Sequence, residues 1–485
     1  MTDYETVIGL ECHIELSTRT KMFCGCSVSF GDAPNTHVCE ICLGHPGTLP
    51  VPNEKAIEYI VRIGLALGCE IAPRSVFARK NYFYPDMPKN YQISQFDLPT
   101  CINGNLAIEI DGTEHTIGIT RVHMEEDTGK TTHAGATGRI HDADYALVDF
   151  NRAGVPLVEC VSEPDMRSPE EARAYLTALR DTLQALDVSD VRMEEGSLRC
   201  DGNISVRPVG TAELGTKVEI KNMNSIRSLE NALKYERERQ IAAIKAGQTL
   251  VQETRHWNED EQKTTSMRSK EEAFDYRYFP EPDIPPLEPE RVWVGQIQAS
   301  LPELPAARRE RFEREHGLKP ELAFAVASSR DTAAFFEEAV KLGAPAVTAA
   351  NWMTQDVAAY LNETKADLAE TKLTPRHLAD LVKSVDDGTI SASGGKQVLA
   401  EVLSTGDPIA AVIGAKGLKQ VSDTDELGII ANEVIAENPG PVEQFRGGKE
   451  GVIGFLVGQV MKKTGGSANP KVVQEVLRER LGLNP

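Results

Sequence analysis

Hydrophobic and polar positions change rhythm several times along this chain. From Leu10 to Leu16 they alternate: Leu10, Cys12, Ile14 and Leu16 share one face, while Glu11, His13 and Glu15 share the other. That is the period of a strand. Strand-like runs over Val7–Leu16, Ile117–Val122, Asn203–Val206 and Lys217–Ile220 stand between turn clusters. A helix is predicted over Pro169–Leu186, with Pro169 just after Ser168 as its start. Another follows Asn224, where Ile226, Leu229, Leu233 and Tyr235 recur near helical spacing. The run from Tyr278 to Pro289 holds five prolines, which a helix interior or a central strand does not accept, so it reads as a stiff extended connector. Helical texture dominates beyond it, with a second break at Gly414–Gly417. The predicted class is α+β, with a mainly antiparallel β-rich domain over 1–292, a helical domain over 293–408 and a helical tail over 409–485.

Charge changes this picture only locally. The 485 residues include 52 basic and 73 acidic side chains, for a net charge of −21. Such a balance excludes binding to DNA or anionic membrane by bulk attraction. From Gln444 onward, however, seven cations face three anions. Among these, Lys449, Lys462, Lys463 and Lys471 are candidates for phosphate contact. The apolar stretch Val452–Met461 is too short to span a membrane, and Met-Thr-Asp-Tyr-Glu-Thr carries no apolar signal core. A cytoplasmic, reduced protein is expected.

Cys24-Gly-Cys26 and Cys39-Glu-Ile-Cys42 are two close pairs joined by a twelve-residue loop. Four thiolates brought together by such a loop suit a closed structural zinc site, with His37 or His45 able to replace one cysteine. A different chemistry gathers at His13 with Glu11, at His123, Glu125, Glu126 and Asp127, and at Glu159. Carboxylates with one imidazole suit Mg²⁺ or Mn²⁺ accompanied by substrate phosphates. Ala78–Gln95 concentrates Arg79, Lys80 and Lys89 with Tyr82, Tyr84 and Tyr91, a mixture that can neutralise phosphate and stack on a base. Gly129-Lys-Thr is no phosphate-binding P-loop, because Met124 stands where that motif needs glycine. Gly465-Gly-Ser467 lacks the surroundings of a serine amidase signature.

Longer motifs carry a resemblance. Val-Ile-Gly-Leu-Glu-Cys-His-Ile-Glu-Leu16, Ala-Arg-Lys-Asn-Tyr-Phe-Tyr-Pro-Asp86, Tyr-Gln-Ile-Ser-Gln95, His-Met-Glu-Glu-Asp-Thr-Gly-Lys130, Leu-Arg-Cys-Asp-Gly-Asn-Ile-Ser205 and Asp-Tyr-Arg-Tyr-Phe-Pro-Glu-Pro-Asp283 stand in order along the chain. In these the sequence resembles the B subunits of tRNA-dependent aspartyl/glutamyl amidotransferases. The resemblance implies a β-rich cradle, a helical domain and a tRNA-touching tail. It also implies partnership with an amidase (A) subunit and a small C subunit, and action on misacylated Glu-tRNA(Gln) or Asp-tRNA(Asn). ATP would phosphorylate the side-chain carboxylate, and ammonia from the partner would displace phosphate. By resemblance His13, Glu126 and Glu159 are the Mg²⁺ ligands, with Glu11 and Glu125 next as metal ligands. Glu125, Lys80 and Glu11 are also candidates for serving the chemistry, Glu125 by positioning the substrate or keeping ammonia neutral. Arg79, Lys80, Tyr82, Tyr84 and Lys89 would contact ATP or the acyl phosphate. Cys24, Cys26, Cys39 and Cys42 match the zinc-bearing members. The stretch 135–144 is longer than usual for this family and is expected to be a surface loop. A second reading is a zinc-stabilised tRNA-binding scaffold whose chemistry lies in a partner.

Overall fold

The computed structural model describes residues 3–135, 143–267, 276–327, 329–364, 366, 368–420, 424–464 and 468–482. Most of the long 135–144 stretch and the Gly465–Ser467 fragment lie outside them. Contacts divide the chain into two compact units, Met1–Ala306 and Ala307–Pro485.

The first unit is built on a nine-stranded sheet. Its strands are β1 (Tyr4–Glu15), β2 (Glu70–Ile71), β5 (Cys101–Ile110), β6 (Thr113–Glu126), β9 (Pro156–Ser162), β10 (Leu198–Pro208), β11 (Val218–Lys221), β12 (Glu253–Asn258) and β13 (Lys263–Ser266). They run in the order β13-β12-β11-β10-β1-β9-β6-β5-β2, antiparallel except for the β11–β12 pair. A three-stranded sheet joins β3 (Ala78–Asn81), β4 (Tyr91–Ser94) and β14 (Phe279–Pro280), while β7 (Lys130–Gly135) pairs with β8 (Ala143–Asp149). All four strand-like runs of the sequence fall on strands of the large sheet.

Three helices cover one face of that sheet: α1 (Glu54–Ala66), α2 (Pro169–Leu186) and α3 (Ile226–Lys245). The start of α2 is set by Ser168, whose side chain accepts the Glu171 N–H, with Pro169 in the first turn. Ser225 caps α3 in the same way. Ile60 and Ile63 of α1, Tyr175 and Leu179 of α2, and Leu229 and Leu233 of α3 share one core with Leu10, Cys12, Ile14, Val158, Cys160 and Ile204 of the strands. The period-2 reading of β1 therefore describes a real sidedness, and Glu11, His13 and Glu15 are left on the face the helices do not cover.

The proline run is not one straight extended connector: it turns at Pro282–Asp283 between two short pairings that stitch it onto the first unit. Phe279 and Pro280 form an edge strand against Arg79 and Ala78, where a missing N–H is tolerated. Ser75 and Leu287 exchange two 2.9 Å backbone hydrogen bonds, and Ile284 is buried in the core. Arg79 grips Glu281 with two hydrogen bonds, of 2.6 and 2.8 Å. The unit continues through α4 (Arg291–Ala299).

The second unit is helical among its described residues and has two cores. One gathers Phe312, Phe336, Trp352, Leu378, Leu399 and Val402; the other gathers Leu427, Leu456, Val473 and Leu477. No single described helix is long and apolar enough to cross a membrane. Ala392–Thr405 with Ile409–Lys416 comes nearest, but the chain bends by 120° between them and their apolar residues fill the first of these cores.

Glu281→Ala should destabilise the first unit by about 3 kcal/mol, because the Arg79 guanidinium loses a fully buried partner. Denaturant unfolding of the variant against the parent measures this, and an unchanged midpoint would show that the connector contributes nothing.

Candidate functional site

The uncovered face of the sheet owes its order to register. His13 on β1 lies opposite Glu159 on β9, and Glu159 lies opposite His123 on β6, so three strands place three side chains in one transverse row. Arg199 on β10 extends the row beyond His13. Glu125 is two residues along β6 from His123 and therefore points the same way. His123 Nε2 lies 3.2 Å from Glu159 Oε2 and 3.4 Å from Glu125 Oε1, and His13 Nε2 lies 3.7 Å from Glu159 Oε2. Donor atoms of His13, Glu125 and Glu159 all fall within 4.8 Å of one another, a set that could hold a metal ion.

β4 crosses the end of this row and fixes it. Ser94 Oγ donates to Glu125 Oε1 at 2.8 Å, and Gln92 Nε2 donates to Glu125 Oε2 at 3.3 Å and to the Glu126 carbonyl at 2.7 Å. Glu126 itself points to the opposite side of β6 from Glu125, as adjacent strand residues must. It pairs with Lys89 and accepts the Ile93 N–H at 2.8 Å, so the structure sets it apart from His13 and Glu159.

The electrostatics follow from burial among opposed charges. Burial opposes charge on His123, yet Glu159 and Glu125 push its pKa up to about 9. Burial would likewise raise Glu159, but His123, His13 and Arg121 hold it well below the ordinary carboxylate range. Glu125 is also held low, against burial, by its hydrogen bond from His123 and by the Lys80 charge. Lys80 stays above the usual lysine value despite burial because it faces Glu125 and Glu159. Further along the face, burial and the charge of Asp127 push Glu15 up to about 8, and the two share a hydrogen bond. Asp127 is ionised against Arg199 at 2.7 Å and Arg152 at 3.7 Å.

Lys80 also faces an aromatic wall. Its ammonium lies 4.8 Å from the Tyr276 ring centre and 6.0 Å from that of Tyr82. Tyr84, Tyr82, Tyr276 and Tyr278 follow edge to edge in that order, and Phe96 stacks on Tyr278 at 4.3 Å. Asn81 pins this wall by donating to the Tyr276 and Arg277 carbonyls. Arg79 is turned away into its grip on Glu281 and lies over the Tyr91 ring. Glu11 accepts from Asn203 Nδ2 at 3.0 Å and lies outside the three-residue set.

The four cysteines do converge, with one sulfur from each within 4.8 Å of the others, so they could hold a metal. The Cys39 N–H donates to Cys42 Sγ at 3.0 Å, and Cys42 is held down at about 4, chiefly by its contact with Cys24. His37 is drawn instead to Asp32 at 2.8 Å, and His45 is exposed. Gly44, just past the second pair, packs so closely on Lys89 that a side chain there would overlap it. In the tail, Lys449, Lys462 and Lys471 are exposed, while Lys463 is paired with Glu433 and Glu437 at 3.0 and 2.7 Å.

Comparison with known proteins identifies the class to which this fold and site belong. The family described as GatB/GatE catalytic domain matches residues 6–295, and the GatB domain family matches 334–481. The chain belongs to the GatB/GatE family. It is 51% identical over 481 residues to the B subunit of the aspartyl/glutamyl-tRNA(Asn/Gln) amidotransferase of Carboxydothermus hydrogenoformans, covering 99% of each chain. It is 53% identical over 479 residues to the protein of the same name from Moorella thermoacetica, covering 99% of this chain and 100% of the relative. The Synechocystis sp. protein of that name is 52% identical over 486 residues, covering 99% and 98%.

Sequence reasoning placed His13, His123, Glu125 and Glu159 in one acidic constellation but gave His123 no role of its own and did not single out Ser94 or Gln92. Alternation along β6 was the available signal, since it puts His123 with Glu125 and Met124 with Glu126. Mn²⁺ binding to the full chain should weaken by more than about tenfold in Glu159→Gln. Isothermal titration measures it, and an unaltered affinity would remove Glu159 from the metal set.

Proposed function

We propose that this chain is the activating subunit of a tRNA-dependent amidotransferase. It binds Glu-tRNA(Gln) or Asp-tRNA(Asn), uses ATP to phosphorylate the side-chain carboxylate, and hands the acyl phosphate to ammonia released by a partner amidase (A) subunit. The observation that carries this reading is the convergence of His13, Glu125 and Glu159 with Lys80 on one face of the sheet.

A carboxylate is a poor electrophile because its leaving group would be oxide. In the first step a side-chain oxygen attacks the γ-phosphorus of ATP, a P–O bond forms, and the bond to the ADP oxygen breaks. In the second, ammonia attacks the acyl carbon, the C–O bond to phosphate breaks, and a proton is lost to give the amide and inorganic phosphate. One imidazole and two carboxylates form an oxygen-rich set that fits Mg²⁺, which when bound would neutralise phosphate charge. Lys80, charged and facing Glu125, adds positive charge where phosphoryl oxygens gather. Ser94 and Gln92 hold Glu125 in place, and the Tyr82–Tyr276–Tyr278 wall suits the terminal base of the tRNA. The relatives are named as one lettered component of an amidotransferase, which supports assembly with an amidase partner, and the resemblance adds a small C subunit. Lys449, Lys462, Lys463 and Lys471 are proposed to meet tRNA phosphates.

Four converging thiols, one already stabilised as thiolate, fit zinc as a structural ion. Through Gly44 the cysteine knuckle buttresses Lys89, whose ammonium holds Glu126. Zinc here supports the site without entering the reaction.

With partners, mischarged tRNA and ammonium, Glu125→Gln should lower both ATP consumption and amide formation by more than about 100-fold. Glutamine hydrolysis by the partner should persist. Normal ATP turnover in this variant would favour the scaffold reading. Cys39→Ser should abolish the one equivalent of zinc found by elemental analysis and lower the melting temperature of the first unit. Full stability after zinc removal would dismiss the structural ion.

A further inference from the structure

The four-cysteine knuckle has a second chemistry open to it. Of the nine cysteines, Cys12, Cys69, Cys101, Cys160 and Cys200 lie in the core of the first unit, whereas Cys24, Cys26 and Cys39 are partly exposed. Cys42 Sγ lies 3.6 Å from Cys39 Sγ and 3.8 Å from Cys26 Sγ. Cys39 and Cys42 stand on one turn, closed by the Leu43 N–H on the Cys39 carbonyl at 3.0 Å, so joining them closes only a short loop. Cys12 and Cys200 approach more closely, at 3.3 Å, but both are buried. A thiolate is the nucleophile as well as the metal ligand, so a zinc-holding sulfur with an exposed edge is the one an oxidant meets.

Contacts leading out of the knuckle run to the site. Gly44 packs on Lys89, Lys89 pairs with Glu126, and Glu126 accepts the Ile93 N–H of β4 at 2.8 Å. Gln92 and Ser94 of the same strand hold Glu125. The loop between the two cysteine pairs is fastened as well. Asn35 Nδ2 donates to the Val148 carbonyl at 3.1 Å, and Asn151 Nδ2 donates to the Ala33 carbonyl at 2.8 Å. The buried Lys21 donates its backbone N–H to the Cys26 carbonyl and its ammonium to the Phe150 carbonyl, each at 3.0 Å.

We propose, on the structural-zinc reading given above, that Cys39 and Cys42 are a peroxide-reactive pair whose oxidation releases the zinc and slackens β4 against Glu125. The Cys39 thiolate attacks one oxygen of hydrogen peroxide, the O–O bond breaks and hydroxide leaves, giving a sulfenic acid. The Cys42 thiolate attacks that sulfur, the S–O bond breaks and a second hydroxide leaves, giving the disulfide. Both hydroxides take protons from solvent, and the two electrons lost by the sulfurs reduce the peroxide to water. Zinc, left with Cys24 and Cys26, has lost half its ligands and departs. A thiol reductant with added zinc reverses the change.

The test treats the full chain, assembled with its partners, with hydrogen peroxide. One equivalent of zinc should appear on a chromogenic chelator. Peptide mapping after alkylation should find Cys39 joined to Cys42, with the core cysteines still free. Hydrogen exchange should quicken at the Ile93 amide and its neighbours in β4 and stay unchanged in the helical unit. ATP consumption with mischarged tRNA and ammonium should fall by about tenfold and return with reductant and zinc. Zinc retained while the exposed Met267 becomes sulfoxide overturns the switch. So does a disulfide at Cys12–Cys200 instead, or zinc lost with β4 exchange and ATP consumption unchanged. An untreated complex without zinc fails earlier: it removes the structural ion, and the switch with it.

Discussion

The antiparallel ladder across β10, β1, β9 and β6 is the constraint on which the rest depends. Arg199, His13, Glu159 and His123 meet because four strands, drawn from widely separated stretches of sequence, share one register. A slip of one residue in β9 would send Glu159 into the helix-covered core and bring Val158 or Cys160 to the outer face. Burial of Val158 and Cys160 against α2 therefore holds the register that the site requires. Packing on one side of the sheet fixes chemistry on the other.

Electrostatic pairing completes the arrangement. Three buried carboxylates of the face each meet a cation: Glu159 meets His123, Glu125 meets Lys80, and Asp127 meets Arg199. In a chain of net charge −21 these pairings keep acidic groups ionised where burial alone would protonate them. Glu15 is the exception: its neighbour is another carboxylate, and it is the group pushed up to about 8. The face thus holds anions ready for a cation and, beside them, one carboxyl that retains a proton near neutrality.

Much of this was legible in the residues because it is local. The alternation of β1, the start of α2 at Ser168–Pro169 and the four-cysteine cluster each follow from spacing within a few positions. The family motifs named the remaining chemistry. What spacing could not supply was parity between distant strands. Glu125 and Glu126 are neighbours in sequence and opposites in space, so only the pairing of β6 with β9 separates the one that joins His13 from the one that joins Lys89. Tyr-Gln-Ile-Ser drew attention for its tyrosine, while Gln92 and Ser94 prove to orient Glu125. Arg79 looked like a phosphate ligand until its bidentate partner, two hundred residues further on, came into view.

That last distance bears on how the molecule comes into being. β14 reaches back to β3 by pairing Phe279 with Arg79, and β1 pairs Cys12 with Cys200. On a chain made from its N-terminus, His13 emerges early yet waits for β9 and β10, and the edge of the small sheet stays open until residue 280 has left the ribosome. Such non-local pairing is slow and leaves strand edges exposed in the interval. The proline run then covers the β3 edge of the small sheet with Phe279–Pro280, whose proline offers no N–H to a further strand. The stitch that joins the connector to β3 thus also ends the period in which the β3 edge can pair with the wrong chain.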